Sequence, residues 1–266
     1  MKDFLSLTMV FIKKLKKVQK KHKNSVSFFK DVVILQQITM FKFEEYKKIT
    51  ENISFLGKKT EIVAISKNHP LEDVDKAISC GLKAFGENRV QEAKLKFEKI
   101  REKNKKIILH LTGPLQTNKV SNALMLFDVF HTLDREKLLK ELLKHHEIIK
   151  KKSFFIQVNT GKETTKNGIF PEETKNFLEL CRAYGVKNIE GLMCIPPIND
   201  SPKKHFHIIN ELTLECGLGR PSIGMSSDYK EALEFDPKYI RLGTVLFGKR
   251  IWMKFTFILK KKLTIQ

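Results

Sequence analysis

The chain has 266 residues, 41% of them hydrophobic, which is enough to build a buried core and excludes a disordered chain. The length suits one α/β barrel, which commonly runs to about 250 residues. The formal charge of +20 would suit nucleic acid or an anionic membrane, but net +7 of it lies in residues 1–39 and net +4 in residues 251–266, so the middle reads as a solvated basic surface and no nucleic-acid partner is expected.

Residues 1–39 form a first region, with an apolar run Phe4–Ile12 followed by a basic run Lys13–Lys23. The apolar run is short of the roughly 20 residues that span a bilayer. Its basic cluster follows it where a signal peptide has the basic residues first, and no small-residue cleavage site is evident. The region is expected to be an upstream extension arising from start-site choice, with neither secretion nor a membrane span. Residues 40–250 alternate short apolar runs with amphipathic stretches. Strands are expected at Glu61–Ser66, Ala84–Glu87, Ile107–Gly113, Val129–Asp134, Phe154–Asn159, Ile189–Ile195, Pro221–Ser226 and Tyr239–Phe247. Helices are expected at Leu71–Ser79, Val90–Glu102, Asn118–Phe127, Arg135–His146, Pro171–Tyr184 and Pro202–Cys216. Residues 251–266 read as an apolar, Lys-rich tail.

Such alternation argues for βαβ units and a parallel sheet. Eight strands in one domain-sized piece favour a closed (β/α)8 TIM barrel, a single domain with extensions at both ends. Spacing alone leaves an open doubly wound sheet as the alternative. Cys80, Cys181, Cys194 and Cys216 form no CxxC pair, so neither a structural zinc nor a redox motif is indicated. Their apolar neighbours fit small buried residues in a reducing compartment, and the expected location is the cytoplasm.

In either architecture chemistry gathers at the carboxyl ends of the strands. Lys67 ends the apolar run Ile62-Val63-Ala64-Ile65. A lysine held there is partly desolvated, which favours the neutral, nucleophilic amine. An ordinary surface lysine fits the position as well. A phosphate site at the last two strands is a second feature, because barrels bind phosphate with those loops and a nearby helix N-terminus. Ser226 closes the segment Ser222–Asp228. Gly243 and Thr244 follow Arg241. Packing glycines, helix-capping serines and a salt-bridged arginine are the plain alternatives. His205 and His207 do not share a helix face, so no metal site is expected. His110 and His131 read as core or rim histidines, Asp134 as a helix cap before Arg135, and Glu87 as a hydrogen-bond partner at the barrel rim.

Taken together, ordered blocks of the middle region resemble the pyridoxal 5′-phosphate (PLP) homeostasis proteins, also called the YggS or proline synthase co-transcribed family. They are Ala64-Ile-Ser-Lys-Asn-His-Pro70, Phe85-Gly-Glu-Asn-Arg-Val-Gln-Glu92, His110-Leu-Thr-Gly-Pro-Leu-Gln-Thr-Asn-Lys119, His131-Thr-Leu-Asp134, Gln157-Val-Asn159 with Lys166-Asn-Gly168, Gly191-Leu-Met193, Ser222-Ile-Gly-Met-Ser-Ser-Asp228 and Arg241-Leu-Gly-Thr-Val-Leu-Phe-Gly248. The resemblance implies an alanine-racemase-like barrel with PLP as cofactor. It implies a Schiff base on Lys67, phosphate contacts from Ser226, Gly243 and Thr244, Arg241 near the pyridine nitrogen, and Asn88 lining the pocket. His69 departs from the family, many of whose members carry a second lysine there.

A PLP-dependent amino-acid racemase would share this fold and lysine. Two-base racemisation needs a second acid/base group on the opposite face of the cofactor. The 16 residues after Arg250 are too few for the domain that supplies it in alanine racemases, and Tyr46, Tyr184, Tyr229 and Tyr239 show no matching context. The expectation is therefore a monomeric PLP carrier or regulator without robust turnover, supplying apo PLP-dependent enzymes.

Overall fold

A computed structural model describes residues 41–248, all within the unit formed by residues 41–266. The expected N-terminal extension and C-terminal tail lie outside the described residues.

Helix α1 (Phe43–Phe55) comes first, an element that the strand–helix alternation does not include. Then follow β1 (Glu61–Ile65), α2 (Leu71–Ser79), β2 (Ala84–Glu87), α3 (Val90–Lys103), β3 (Ile108–Leu111), α4 (Val120–Leu126), β4 (Val129–Leu133), α5 (Glu136–Leu143), α6 (His146–Ile149), β5 (Ser153–Val158), α7 (Thr174–Ala183), β6 (Ile189–Cys194), α8 (Pro202–Glu215), β7 (Ser222–Met225), α9 (Tyr229–Ala232), β8 (Tyr239–Leu242) and α10 (Thr244–Phe247). Helix formation follows local chemistry. In α2, Glu72 and Asp73 occupy the first turn and Lys76 the last, which complements the helix dipole. In α5, Leu138, Leu139 and Leu142 lie on one buried stripe.

All neighbouring strands pair in parallel in sequence order, and β8 returns to β1 through Glu61↔Tyr239, Val63↔Arg241 and Ala64↔Leu242. The sheet is thus a closed (β/α)8 barrel. Side chains alternate between its two faces. Val63, Ile65, Val129, Phe155, Met193 and Tyr239 form one buried cluster, while Ala64, Phe85, Leu109, Ile156, Leu192 and Ile240 belong to the larger one that includes the helices' apolar stripes.

One expected strand is corrected. Tyr239–Phe247 is strand only to Leu242; at Gly243 the chain turns, and the amides of Leu246 and Phe247 bond back to the Gly243 carbonyl to form α10. Apolar Val245, Leu246 and Phe247 look the same in a buried strand as in a buried helical turn, so hydrophobicity does not mark the switch. Arg135–His146 divides into α5 and α6. Asp134 is not a cap: α5 has no side-chain cap, and the Asp134 carboxylate pairs with Arg135. The four cysteines are free; Cys181, Cys194 and Cys216 are buried and Cys80 is half-buried.

Candidate functional site

Barrel register brings five of the six predicted residues to one level at the carboxyl ends. Ile65 pairs with Gly86, so Lys67 and Asn88 each lie two residues beyond paired positions. Ala64 pairs with Leu242, which places Gly243 and Thr244 beside the end of β1, and a Cβ added at Gly243 would lie 3.5 Å from Ile65. Met225 pairs with Arg241, so Ser226 follows on the other side of β8. Lys67 is half-buried, Thr244 is exposed, and the sixth residue, Arg241, is buried inside β8.

The Ser226 hydroxyl oxygen accepts from the amides of Gly243 and Val245, each at 3.2 Å. Two backbone donors at the start of α10 thus converge on one oxygen. Converging backbone N–H groups are donors of the kind a phosphate oxygen takes, and Thr244 is the next residue after Gly243. Asn88 accepts from the Thr112 hydroxyl at 3.0 Å.

Arg241 is held from below. Its Nη1 donates to the carbonyl and hydroxyl oxygens of Ser222, both at 2.7 Å, and its Nη2 donates to the Cys194 carbonyl at 2.8 Å. These bonds engage three of its five N–H donors. The Ser222 hydroxyl also meets His131 Nδ1 at 3.0 Å, and His131 Nε2 meets His110 Nδ1 at 2.9 Å. The His131 ring stacks on Phe155, and His110 abuts Tyr239 edge-on. This polar file runs through the barrel interior beside the apolar cluster of Val63, Ile65, Phe155 and Met193. Burial holds both histidines neutral: His110 is pushed down to about 3, with Lys238 adding to the effect, and His131 goes well below its usual range, with His110 and Arg241 adding theirs.

Beneath Lys67 lies a second network. Ser66 donates its hydroxyl to Glu87 at 2.7 Å, and Lys96 reaches the Ser66 carbonyl at 2.7 Å, Glu87 at 3.0 Å and Glu92 at 2.7 Å. Burial raises the Glu87 carboxyl, and the Lys96 charge and the Ser66 hydroxyl oppose that rise. Sequence reasoning does not single out Lys96, Glu92 or Ser222. Glu92 and Ser222 do lie within blocks that carry the family resemblance, and the four-residue spacing of Glu92 and Lys96 on a helix is a further signal for that pair.

The block around Gln157–Asn159 and Lys166 lies elsewhere. Thr160, Lys162, Lys166, Asp200, Lys204 and His205 line a cleft of about 570 Å3 over the ends of β5 and β6. Its lysines are paired, Lys162 with Glu172, Lys166 with Glu163 and Lys204 with Asp200, and His205 Nε2 lies 3.1 Å from the same Asp200. No predicted PLP residue lines it. Among the described residues, no group of three His, Cys, Asp or Glu side chains is placed to hold a metal ion, and no helix is long and apolar enough to cross a membrane.

The alanine racemase N-terminal domain family matches residues 45–250. The barrel resembles the alanine racemase of Acinetobacter baumannii with a TM-score of 0.62 at 17% identity, over 78% of this chain and 62% of that one. The class is that of the alanine-racemase-like barrels. More similar structures are those of PipY from Synechococcus elongatus PCC7942: without PLP, TM-score 0.69 at 29% identity over 77% of this chain and 99% of that chain; with PLP bound, TM-score 0.64 at 30% identity over 77% and 100%. The pyridoxal phosphate homeostasis protein of Aquifex aeolicus is 35% identical over 71% of this chain and 87% of its own length, and that of Buchnera aphidicola 36% identical over 73% and 88%. Within its class, this chain belongs to the pyridoxal phosphate homeostasis protein family.

Proposed function

We propose that this chain binds PLP through Lys67 and serves PLP homeostasis as a carrier. When bound, PLP supplies an electrophilic aldehyde and a phosphate dianion. The observation that carries the reading is the convergence of the Gly243 and Val245 amides on Ser226, next to the end of the strand that presents Lys67. Ser226, Thr244 and the backbone amides around Gly243 would hold the phosphate, Arg241 would serve the ring nitrogen and Asn88 would line the pocket. Lys67 would hold the cofactor through its amine, the group with which that aldehyde condenses. PLP bound to PipY and the names of the curated relatives support the same reading.

A carrier is favoured over a racemase. Tyr239, the tyrosine nearest Arg241 in sequence, packs inside the barrel, where burial raises its hydroxyl and makes it a poor proton carrier. In this reading residues 40–250 are the working barrel, residues 1–39 and 251–266 are appendages, and a cytoplasmic monomer hands PLP to apo PLP-dependent enzymes.

Borohydride reduction of protein incubated with PLP, followed by peptide mapping, is expected to fix one PLP on Lys67, and Lys67→Ala to lose both the label and the visible colour. Retention of covalent PLP by that variant overturns the assignment. Loaded protein is expected to reactivate an apo PLP-dependent enzyme while racemase, decarboxylase and transaminase assays stay near background. Vigorous Lys67-dependent turnover of an amino acid establishes an enzyme instead.

A further inference from the structure

Lys67 sits between two peptide groups, and both are tied to one side-chain cluster. On its N-terminal side, the Ser66 carbonyl accepts from Lys96 Nζ at 2.7 Å. On its C-terminal side, the Asn68 amide donates to Glu92 Oε1 at 2.5 Å, and Lys96 donates to that same oxygen at 2.7 Å. The third Lys96 hydrogen bond goes to Glu87 Oε1, which also accepts from the Ser66 hydroxyl. An ammonium has three donors, and all three are engaged here.

The arrangement is unusual for a solvated lysine. The Lys96 side chain is 12% exposed and that of Glu87 fully buried. Asn68 takes a left-handed backbone, φ 61°, a conformation uncommon for residues other than glycine. Its amide bond to Glu92 fixes that turn. Packing of α3 against β2 needs none of these polar groups: Val90, Ala93 and Phe97 bury the apolar face of the helix.

We propose that Lys96 is a positioning residue for Lys67: with Glu87 and Glu92 it clamps the peptide groups on both sides of that lysine and sets the direction in which its amine leaves the strand. Lys96 itself touches no cofactor. The inference rests on the reading of Lys67 as the PLP lysine. Its consequence is kinetic, because a reacting amine held in one direction reaches an aldehyde more often than one on a mobile loop.

Two variants test it. Glu92→Ala removes the acceptor of the Asn68 amide from a half-exposed helix position. Lys96→Met combined with Glu87→Gln removes the ammonium without leaving a buried carboxylate unpaired. In the cofactor-free protein, hydrogen exchange at the Asn68 amide is expected to speed up at least about tenfold in both variants relative to wild type. With PLP added, the rate of Schiff-base formation is expected to fall about ten- to hundredfold, the scale that misplacement of a reacting group produces. Affinity for pyridoxine 5′-phosphate, which has the phosphate but no aldehyde, is expected to stay within about twofold of wild type, since Ser226 and the Gly243 amide are untouched. Folded variants with wild-type imine rates overturn the proposal, as does a parallel loss of imine rate and analogue binding, which marks general loosening. If the double variant does not fold, Glu92→Ala decides alone by the same readouts. Wild-type protein that reduction fails to label at Lys67 overturns the PLP reading and this inference with it; wild-type labelling alongside unaffected variants overturns the inference alone.

Discussion

Two glycines near the site separate what folding needs from what a ligand needs. Gly224 has φ +90°, and a Cβ there would come within 2.6 Å of Ala232. Gly243 has φ −111°, and a Cβ there meets Ile65 at 3.5 Å, an ordinary contact. Nothing in the protein's own packing requires glycine at 243; the proposed phosphate site, which brings an anion onto its amide, does. Gly224→Ala is expected to destabilise the fold by at least about 1–3 kcal/mol. Gly243→Ala is expected to keep its melting temperature within a few degrees and to weaken PLP binding about ten- to hundredfold, the equivalent of one charge-assisted hydrogen bond. Thermal melts and PLP titrations of the two variants check both halves. Equal melting temperatures for the two, or wild-type PLP affinity in Gly243→Ala, sink the distinction.

At the scale of elements, legibility follows from what each signal reports. Strands buried on both sides read as short apolar runs, so β2 falls at its predicted bounds and the other predicted strands differ by a few residues at their ends. The exception is the end of β8, where the chain passes from strand to α10 with no loss of hydrophobicity; the turn at Gly243 carries the change, and one glycine does not announce it. Helix α1 escapes the alternation because it precedes the first strand. Of the candidate site, the strand-end positions were legible: Lys67, Asn88, Ser226, Gly243 and Thr244 share one level because strand pairing puts them there. Arg241 was legible as a residue type but not as a buried one. Its environment is built by Ser222, Cys194 and, through Ser222, His131, side chains and carbonyls contributed by three other strands. Distances across a barrel are not written in local periodicity. The clamp beneath Lys67 was hidden for the same reason, since Ser66 follows the end of β1 while Glu87 belongs to β2 and Lys96 to α3.

The barrel as a whole closes around two histidines that water does not reach, and this ties its stability to pH. Both are fully buried and neutral, so below the unfolded value of about 6.5 the unfolded chain binds protons that the folded chain refuses. For a base whose folded value is depressed, stability is complete above about pH 6.5 and is lost as the pH falls toward the folded value, about 3 for His110. Each such group contributes a slope of up to about 1.4 kcal/mol per pH unit within that window. Burial acts the other way on Glu87 and Asp134, whose carboxyls are raised. An acid with a raised value binds its proton more readily folded than unfolded, so these two oppose the loss at the acidic end. The histidine effect therefore stands clearest between about pH 6.5 and 5.5, above the ordinary carboxylate range. Urea unfolding across that interval is expected to show stability decreasing as the pH falls. His131→Asn, which removes one of the two titrating rings, is expected to roughly halve the slope while lowering stability at pH 7.5, because the bridge between Ser222 and His110 is shortened. A slope unchanged in the variant, or a wild-type protein whose stability is flat from pH 7.5 to 5.5, contradicts neutral histidines at the centre of the barrel.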